Sequence, residues 1–142
     1  MTLNQILDEK GRSVFTIETS VSLRSAAGLL HERRVGAMVA LNAEGSVAGV
    51  LSERDIIRAL AQDGQDALTK TVADFMTSDV VTASPEETVA DAMAKMTRRR
   101  IRHLPIMRGD KLEGVVSIGD LVKWKIAEAE AEANALKSYI HA

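Results

Sequence analysis

The chain contains no cysteine in its 142 residues, which removes disulfides, thiol catalysis and thiolate metal ligands. Aromatic residues make up only 3% of it. Aliphatic side chains and alanine must therefore fill the core, and stacking platforms for single-stranded nucleic acid are scarce. No apolar run approaches the ~20 residues that span a bilayer. The opening "MTLNQILDEKG" lacks a basic stretch followed by an apolar one, so it does not read as a signal peptide. These absences make a cytoplasmic location the expectation. The net charge of -2 supplies no field that would draw the chain to nucleic acid or to an anionic membrane. No G-x-G-x-x-G or Walker loop occurs, nor a Ser-His-Asp or paired-carboxylate pattern, so an enzyme is not expected. His31 and His141 lack partners at ligand spacing, and no metal site is expected.

What the chain does have is a duplication. "GVLSERD" at 49–55 returns 65 positions later as "GVVSIGD" at 114–120. Upstream, "VFTI" at 14–17 matches "VVTA" at 80–83, and "SLRSAAGLLHERRVGA" at 22–37 matches "TVADAMAKMTRRRIRH" at 88–103. The change of offset falls at a turn, where duplicated hairpins tolerate a one-residue difference.

Each copy reads as strand, helix, strand, turn, strand, helix. Strands are expected at 14–17 and 80–83, with helices at about 22–33 and 86–98. "SPEE" at 84–87 reads as a helix start, with Ser84 as cap, Pro85 in the first helical position and Glu87 reaching back. Hairpin turns fall at Gly45 and at Gly109-Asp110. A further helix should run from Ser52 to about Ala61. Residues 63–71 read as a linker, and "TVADFM" at 71–76 as an added helical turn.

From Asp120 onward there is no glycine or proline. Val122, Ile126, Ala129, Ala133, Leu136 and Ile140 recur at heptad-like spacing. Such a helix outruns one small repeat, so residues 127–142 should project and pack against a second copy; folding back on its own domain is the alternative. The six methionines read as core filler, and Trp124 as packing between helix and sheet.

The repeated Ser-x-x-Asp has a plain reading. Ser52 and Ser117 cap helices, and Asp55 and Asp120 close the caps from the third helical position. Three features favour a binding role. The motif sits where a strand turns into a helix, with backbone N–H groups able to receive phosphate. It occurs twice. A basic run, Arg98, Arg99, Arg100 and Arg102 with His103, lies at the matching place on a neighbouring strand. A carboxylate can accept both hydroxyls of a ribose diol.

The sequence resembles a tandem pair of cystathionine-β-synthase-type (CBS) domains over nearly its whole length. The resemblance rests on "RRVGAMVALNAEGSVAGVLSERDII" and "RIRHLPIMRGDKLEGVVSIGDLV" together with the upstream matches. It implies a mixed α+β fold: an N-terminal segment 1–13, a repeat at 14–62, the linker, a second repeat at 72–126, then the helical extension. Sheets would pack about a pseudo-two-fold axis, and two pairs would form a homodimer. Adenosine-containing ligands would bind in two clefts: AMP or ATP foremost, with ADP, NAD(H) or S-adenosylmethionine as further members of the class.

The first cleft would use Ser52, Arg54 and Asp55, with Val80 and Val81 beside the base and Arg102 and His103 at the phosphate. The second would use Ser117, Gly119 and Asp120, with Val14, Phe15 and Thr16 beside the base and Gly36, Ala37 and Met38 along the wall. Gly36-Ala37 stands where the second copy has Arg102-His103, and Gly119 where the first has Arg54, so the clefts should not be equivalent. The function implied is a non-catalytic regulatory sensor acting on an unknown effector protein. Its alternatives are a ligand-free dimerisation scaffold and a nucleic-acid accessory using Arg98 to Arg102.

Overall fold

In the computed structural model, which describes residues 1–141, the chain divides into two compact units. One is Ser13–Val81. The other joins Met1–Arg12 to residues 82–141. The final residue of the expected extension, Ala142, lies outside the described residues.

The Ser13–Val81 unit is built on three strands. β1 (Thr16–Glu18) runs parallel to β2 (Ala37–Leu41), and β2 pairs antiparallel with β3 (Val47–Ser52). Helix α2 (Leu23–Arg33) is the crossover between β1 and β2, and α3 (Glu53–Asp63) follows β3 directly. Ile17, Leu23, Ala26, Leu30, Met38, Ala40, Leu51 and Ala59 form the core. The segment expected as a linker is a 3-10 helix, Gly64–Thr69, whose Ala67 is fully buried in that core. Helix α4 (Val72–Phe75) confirms the helical turn read from "TVADFM" and buries Val72 and Phe75.

The other unit has a two-stranded antiparallel sheet, β4 (His103–Arg108) with β5 (Lys111–Ser117). It is covered by α5 (Val89–Arg99), by α6 (Ile118–His141) and by α1 (Leu3–Lys10), a helix within the N-terminal segment for which no element is expected from the sequence. Leu3, Ile6 and Leu7 are fully buried together with Leu104, Ile106, Val116 and Leu121. At ~1.5 Å per residue α6 is about 36 Å long. Its Val122, Ile126, Leu136 and Ile140 are exposed, as the heptad-like stripe implied. Among the described residues no helix is long and apolar enough to cross a membrane. Met38 and Met96 are core filler as expected, but Met1 is exposed.

Two expectations need correction. Helix α5 starts at Val89 with Thr88 as its cap, not at Ser84. The reach-back bond exists, since Ser84 N donates to Glu87 Oε2 at 2.6 Å. The carbonyls that would begin a helix are used elsewhere: Pro85 O accepts from Asn4 N and Glu87 O from Leu3 N. The start at 89 matches that of α2 at Leu23, so the internal repeat locates the helix better than the local signal. Likewise 80–83 is not a full strand. Only Ala83 bridges β4, donating to Pro105 O and accepting from Met107 N. The carbonyl of Thr82 is taken by the Lys95 ammonium at 2.9 Å. In the first copy the strand is Thr16–Glu18, so Val14 and Phe15 lie before it.

A second duplication emerges here. Thr2 and Gln5 form a capping box at the start of α1; Thr71 and Asp74 form one at the start of α4. Thr2 bridges Thr88, and Thr71 bridges Ser22. Each helical turn preceding one repeat thus docks beside the first helix of the other. The motif glycines make room for these docked turns and the residues just after them. A methyl group at Gly114 would lie 2.7 Å from Leu7 Cδ2. At Gly49 it would lie 2.6 Å from Met76 Sδ and 2.7 Å from the Thr77 carbonyl oxygen.

Gly49→Ala should therefore cost about 1–3 kcal/mol, because backbone must move. Gly114→Ala should cost less, because only the Leu7 side chain must shift. Urea unfolding of the two variants checks the order, and equal losses would contradict it.

Candidate functional site

Both Ser-x-x-Asp motifs form their caps. Ser52 N donates to Asp55 Oδ2 at 2.9 Å, and Asp55 N donates to Ser52 Oγ at 3.3 Å. Ser117 N donates to Asp120 Oδ2 at 2.9 Å, and Asp120 N to Ser117 Oγ at 3.1 Å. The plain reading of the motif is therefore real at both places. The surroundings of the two carboxylates differ.

Asp55 is only 4% exposed. Its Oδ2 also accepts from Ser52 Oγ; its Oδ1 accepts from Thr77 Oγ1 at 3.4 Å and is ion-paired at 3.1 Å with Arg58 Nη2, which donates its hydrogen bond to Phe75 O. Thr77 is held there because its N–H and C=O both pair with Val50 on β3. Val80 and Val81, half-buried, follow in the same unit. Arg54 is exposed.

Asp120 sits in the other unit with one oxygen crowded and one open. Oδ2 takes Ser117 N and the ammonium of Lys10, 2.5 Å away, which also donates to Val115 O at 2.7 Å. Among the described residues none donates to Oδ1. Burial alone would push this carboxyl up, but the hydrogen bond from Lys10 and that from the Ser117 backbone outweigh it and hold the group below its ordinary value. Asp120 lines a pocket of about 220 Å³ with Ile6, Glu9, Lys10, Lys123, Trp124 and Ala127. Trp124 thus shares this pocket with residues of α1.

The remaining expected residues divide between the two units. In the Ser13–Val81 unit, Ala37 pairs with Ser52, and Gly36 O accepts from Glu53 N, so this stretch adjoins the first motif. The Met38 side chain is in the core. Phe15 is exposed under the Arg33 guanidinium, 4.6 Å from its ring centre, and Val14 and Thr16 flank it. In the other unit, His103 pairs with Ser117, and Arg102 O accepts from Ile118 N, which places both beside the second motif; Gly119 is exposed in the first turn of α6. Arg98, Arg99 and Arg100 are exposed at the end of α5.

Sequence reasoning missed Lys10, Arg58, Thr77 and Lys123. The signal for Lys10 and Thr77 was the Thr-x-x-Gln at 2–5 mirrored by Thr-x-x-Asp at 71–74, which marks the turns that carry them.

A helix–hairpin–helix unit present twice, preceded by a strand in one copy and by the bridging Ala83 in the other, with a capped acid at each final helix, defines a tandem-repeat module. The CBS domain profile matches residues 10–62 and 72–127, and the chain belongs to the CBS-domain family. It is similar to the CBS-domain containing protein ATU1752 from Agrobacterium tumefaciens. Identity is 40% at a TM-score of 0.84, with 86% of this chain and 91% of that one covered. It is 31% identical to the mitochondrial CBS domain-containing protein CBSX3 of Arabidopsis thaliana, over 98% of this chain and 71% of the plant protein. The CBS domain protein PAE2072 from Pyrobaculum aerophilum, complexed with AMP, is 29% identical at a TM-score of 0.75, covering 84% of this chain and 89% of its own.

Asp55→Ala should destabilise the protein by about 1–3 kcal/mol, because it strands the Ser52 N–H and the Thr77 hydroxyl. Asp120→Ala should cost less, its side chain being 28% exposed; urea unfolding at pH 7 checks the order. The acid limb tests Asp120 separately. A carboxyl held low in the folded chain stabilises it above the unfolded value of about 4 and loses that contribution as pH falls through the folded value. The stability gap between wild type and Asp120→Asn should therefore narrow on going from pH 7 to below pH 4.

Proposed function

We propose that this protein is a non-catalytic regulatory module that binds an adenosine-containing nucleotide, with Asp120 as the principal ribose acceptor. The observation that carries this reading is that Asp120, which lines the pocket with Trp124 and Lys123, has an Oδ1 to which no described residue donates. A ribose hydroxyl needs an acceptor at a fixed place, and a capped carboxylate supplies one without further ordering cost. The AMP held by the Pyrobaculum relative supports the ligand class. The Ser117 hydroxyl and the Gly119 backbone N–H would meet the ligand, with Val14, Phe15, Thr16, Gly36, Ala37 and Met38 as the expected surroundings of the second cleft.

The first motif is the weaker site. Both oxygens of Asp55 are engaged, so a ribose must displace Thr77 or Arg58. Ser52, Arg54, Val80, Val81, Arg102 and His103 remain its proposed lining. AMP and ATP are the proposed ligands, with NAD(H) within the same class. The exposed stripe of α6 is the proposed homodimer surface, and an effector protein the proposed recipient of the signal. A cytoplasmic location completes the proposal on sequence grounds; the plant relative is named mitochondrial.

Calorimetric titration with AMP and ATP tests the site. Asp120→Ala should weaken binding by about 5- to 150-fold, the equivalent of 1–3 kcal/mol for unpaired ribose hydroxyls. Asp55→Ala should weaken it less. Unchanged affinity in both variants would leave only the scaffold reading. Ile126→Asp with Leu136→Asp should halve the mass measured by light scattering; an unaltered mass would remove α6 as the dimer surface.

A further inference from the structure

The acceptor on Asp120 is shared with a residue that the ribose reading does not use. Lys10, in the last turn of α1, lies 110 positions away in sequence and donates to Asp120 Oδ2 and to Val115 O. At the first motif the corresponding register position, 69 residues on, as Thr71 is from Thr2, is Asp79. The cation at Asp55 comes instead from Arg58 on the same helix. The link from α1 is therefore a property of the second motif.

A carboxylate oxygen has two lone-pair sites. Oδ2 of Asp120 already fills both, with Ser117 N and Lys10 Nζ, while Oδ1 is open. One ribose hydroxyl can therefore be accepted at Oδ1 with Lys10 in place. A diol, which needs both oxygens, cannot. Ser117 N is fixed by the backbone of β5, so the donor that can leave is the ammonium, which has a 36% exposed side chain and a flexible stem. Glu9 and Lys123 line the same pocket. Glu9 offers the displaced ammonium a second carboxylate, and Lys123 repels it from the α6 side.

We propose that Lys10 is an affinity-setting latch on the Asp120 site: a ribose diol and the Lys10 ammonium compete for one carboxylate, so that ligand binding loosens the C-terminal end of α1. This inference rests on Asp120 being a ribose acceptor. It gives the module an output. Occupancy of the site is reported as a change in the hold on the helix that precedes the first repeat.

The test uses the full chain and AMP as probe. Lys10→Met removes the competitor and keeps the apolar stem; it should tighten AMP by about 2- to 5-fold, the range expected for a partly exposed ion pair. Lys10→Arg should restore near wild-type affinity. In the wild-type protein, AMP should speed hydrogen exchange at the amides from Leu7 to Gly11, and it should not do so in Lys10→Met. Unchanged or weaker AMP binding by Lys10→Met, or exchange in α1 that AMP leaves alone or slows, overturns the latch. The exchange measurement needs no variant, so it stands even if a substitution disturbs folding. Asp120→Asn separates the two ideas. If it keeps wild-type AMP affinity, the ribose reading fails. If it loses AMP while Lys10→Met fails to tighten it, the latch alone fails.

Discussion

Close approach at two glycines governs much of the rest. Gly49 and Gly114 sit on the last strand of each repeat, where a Cβ would collide with Met76 and Thr77 in one unit and with Leu7 in the other. Because those strands are bare there, the segments that precede each repeat can lie against them. Thr77 then reaches Asp55, and α1 comes near enough for Lys10 to reach Asp120. Thr77 and Lys10, neither of which belongs to a motif, meet their carboxylates as consequences of that fit, whereas Arg58 reaches Asp55 from its own helix.

The same backbone device thereby produces two different acids. Each is closed by its own serine, and each sits at a strand-to-helix turn. Asp55 receives a hydroxyl and a guanidinium on its second oxygen and becomes a buried structural group. Asp120 receives an ammonium on an oxygen already in use and keeps the other open. A capping box and a ligand acceptor are not exclusive roles for such a residue, because the cap uses one oxygen and a ligand needs the other. What differs is the cost of admitting a hydroxyl: displacing Thr77 or Arg58 in one case, meeting an oxygen to which no described residue donates in the other.

The repeat made most of the fold legible. The match of 22–37 to 88–103 puts the start of the second first-helix at Val89, where the local "SPEE" signal, on which the expectation rested, pointed four residues too early. That signal failed because its carbonyls serve the backbone of α1, which no local pattern reveals. The strand expected at 80–83 shrank to one bridging residue, Ala83, opposite Ile106 of β4. Helix α1 went unread because its apolar positions are few: Leu3, Ile6 and Leu7 gain meaning only against the sheet they cover.

By itself the amino-acid sequence determined the duplicated helix and hairpin pattern, the capped acids at 55 and 120, and the exposed apolar stripe of the last helix. These arise from side-chain periodicity and from hydrogen bonds spanning three or four residues, which are local. Only the tertiary structure decided that residues 1–12 complete the second unit, that Lys10 meets Asp120, and that Asp55 is closed while Asp120 is half open. Those outcomes depend on which surfaces fit at a distance of many residues, and packing of that kind leaves no mark on the spacing of the sequence.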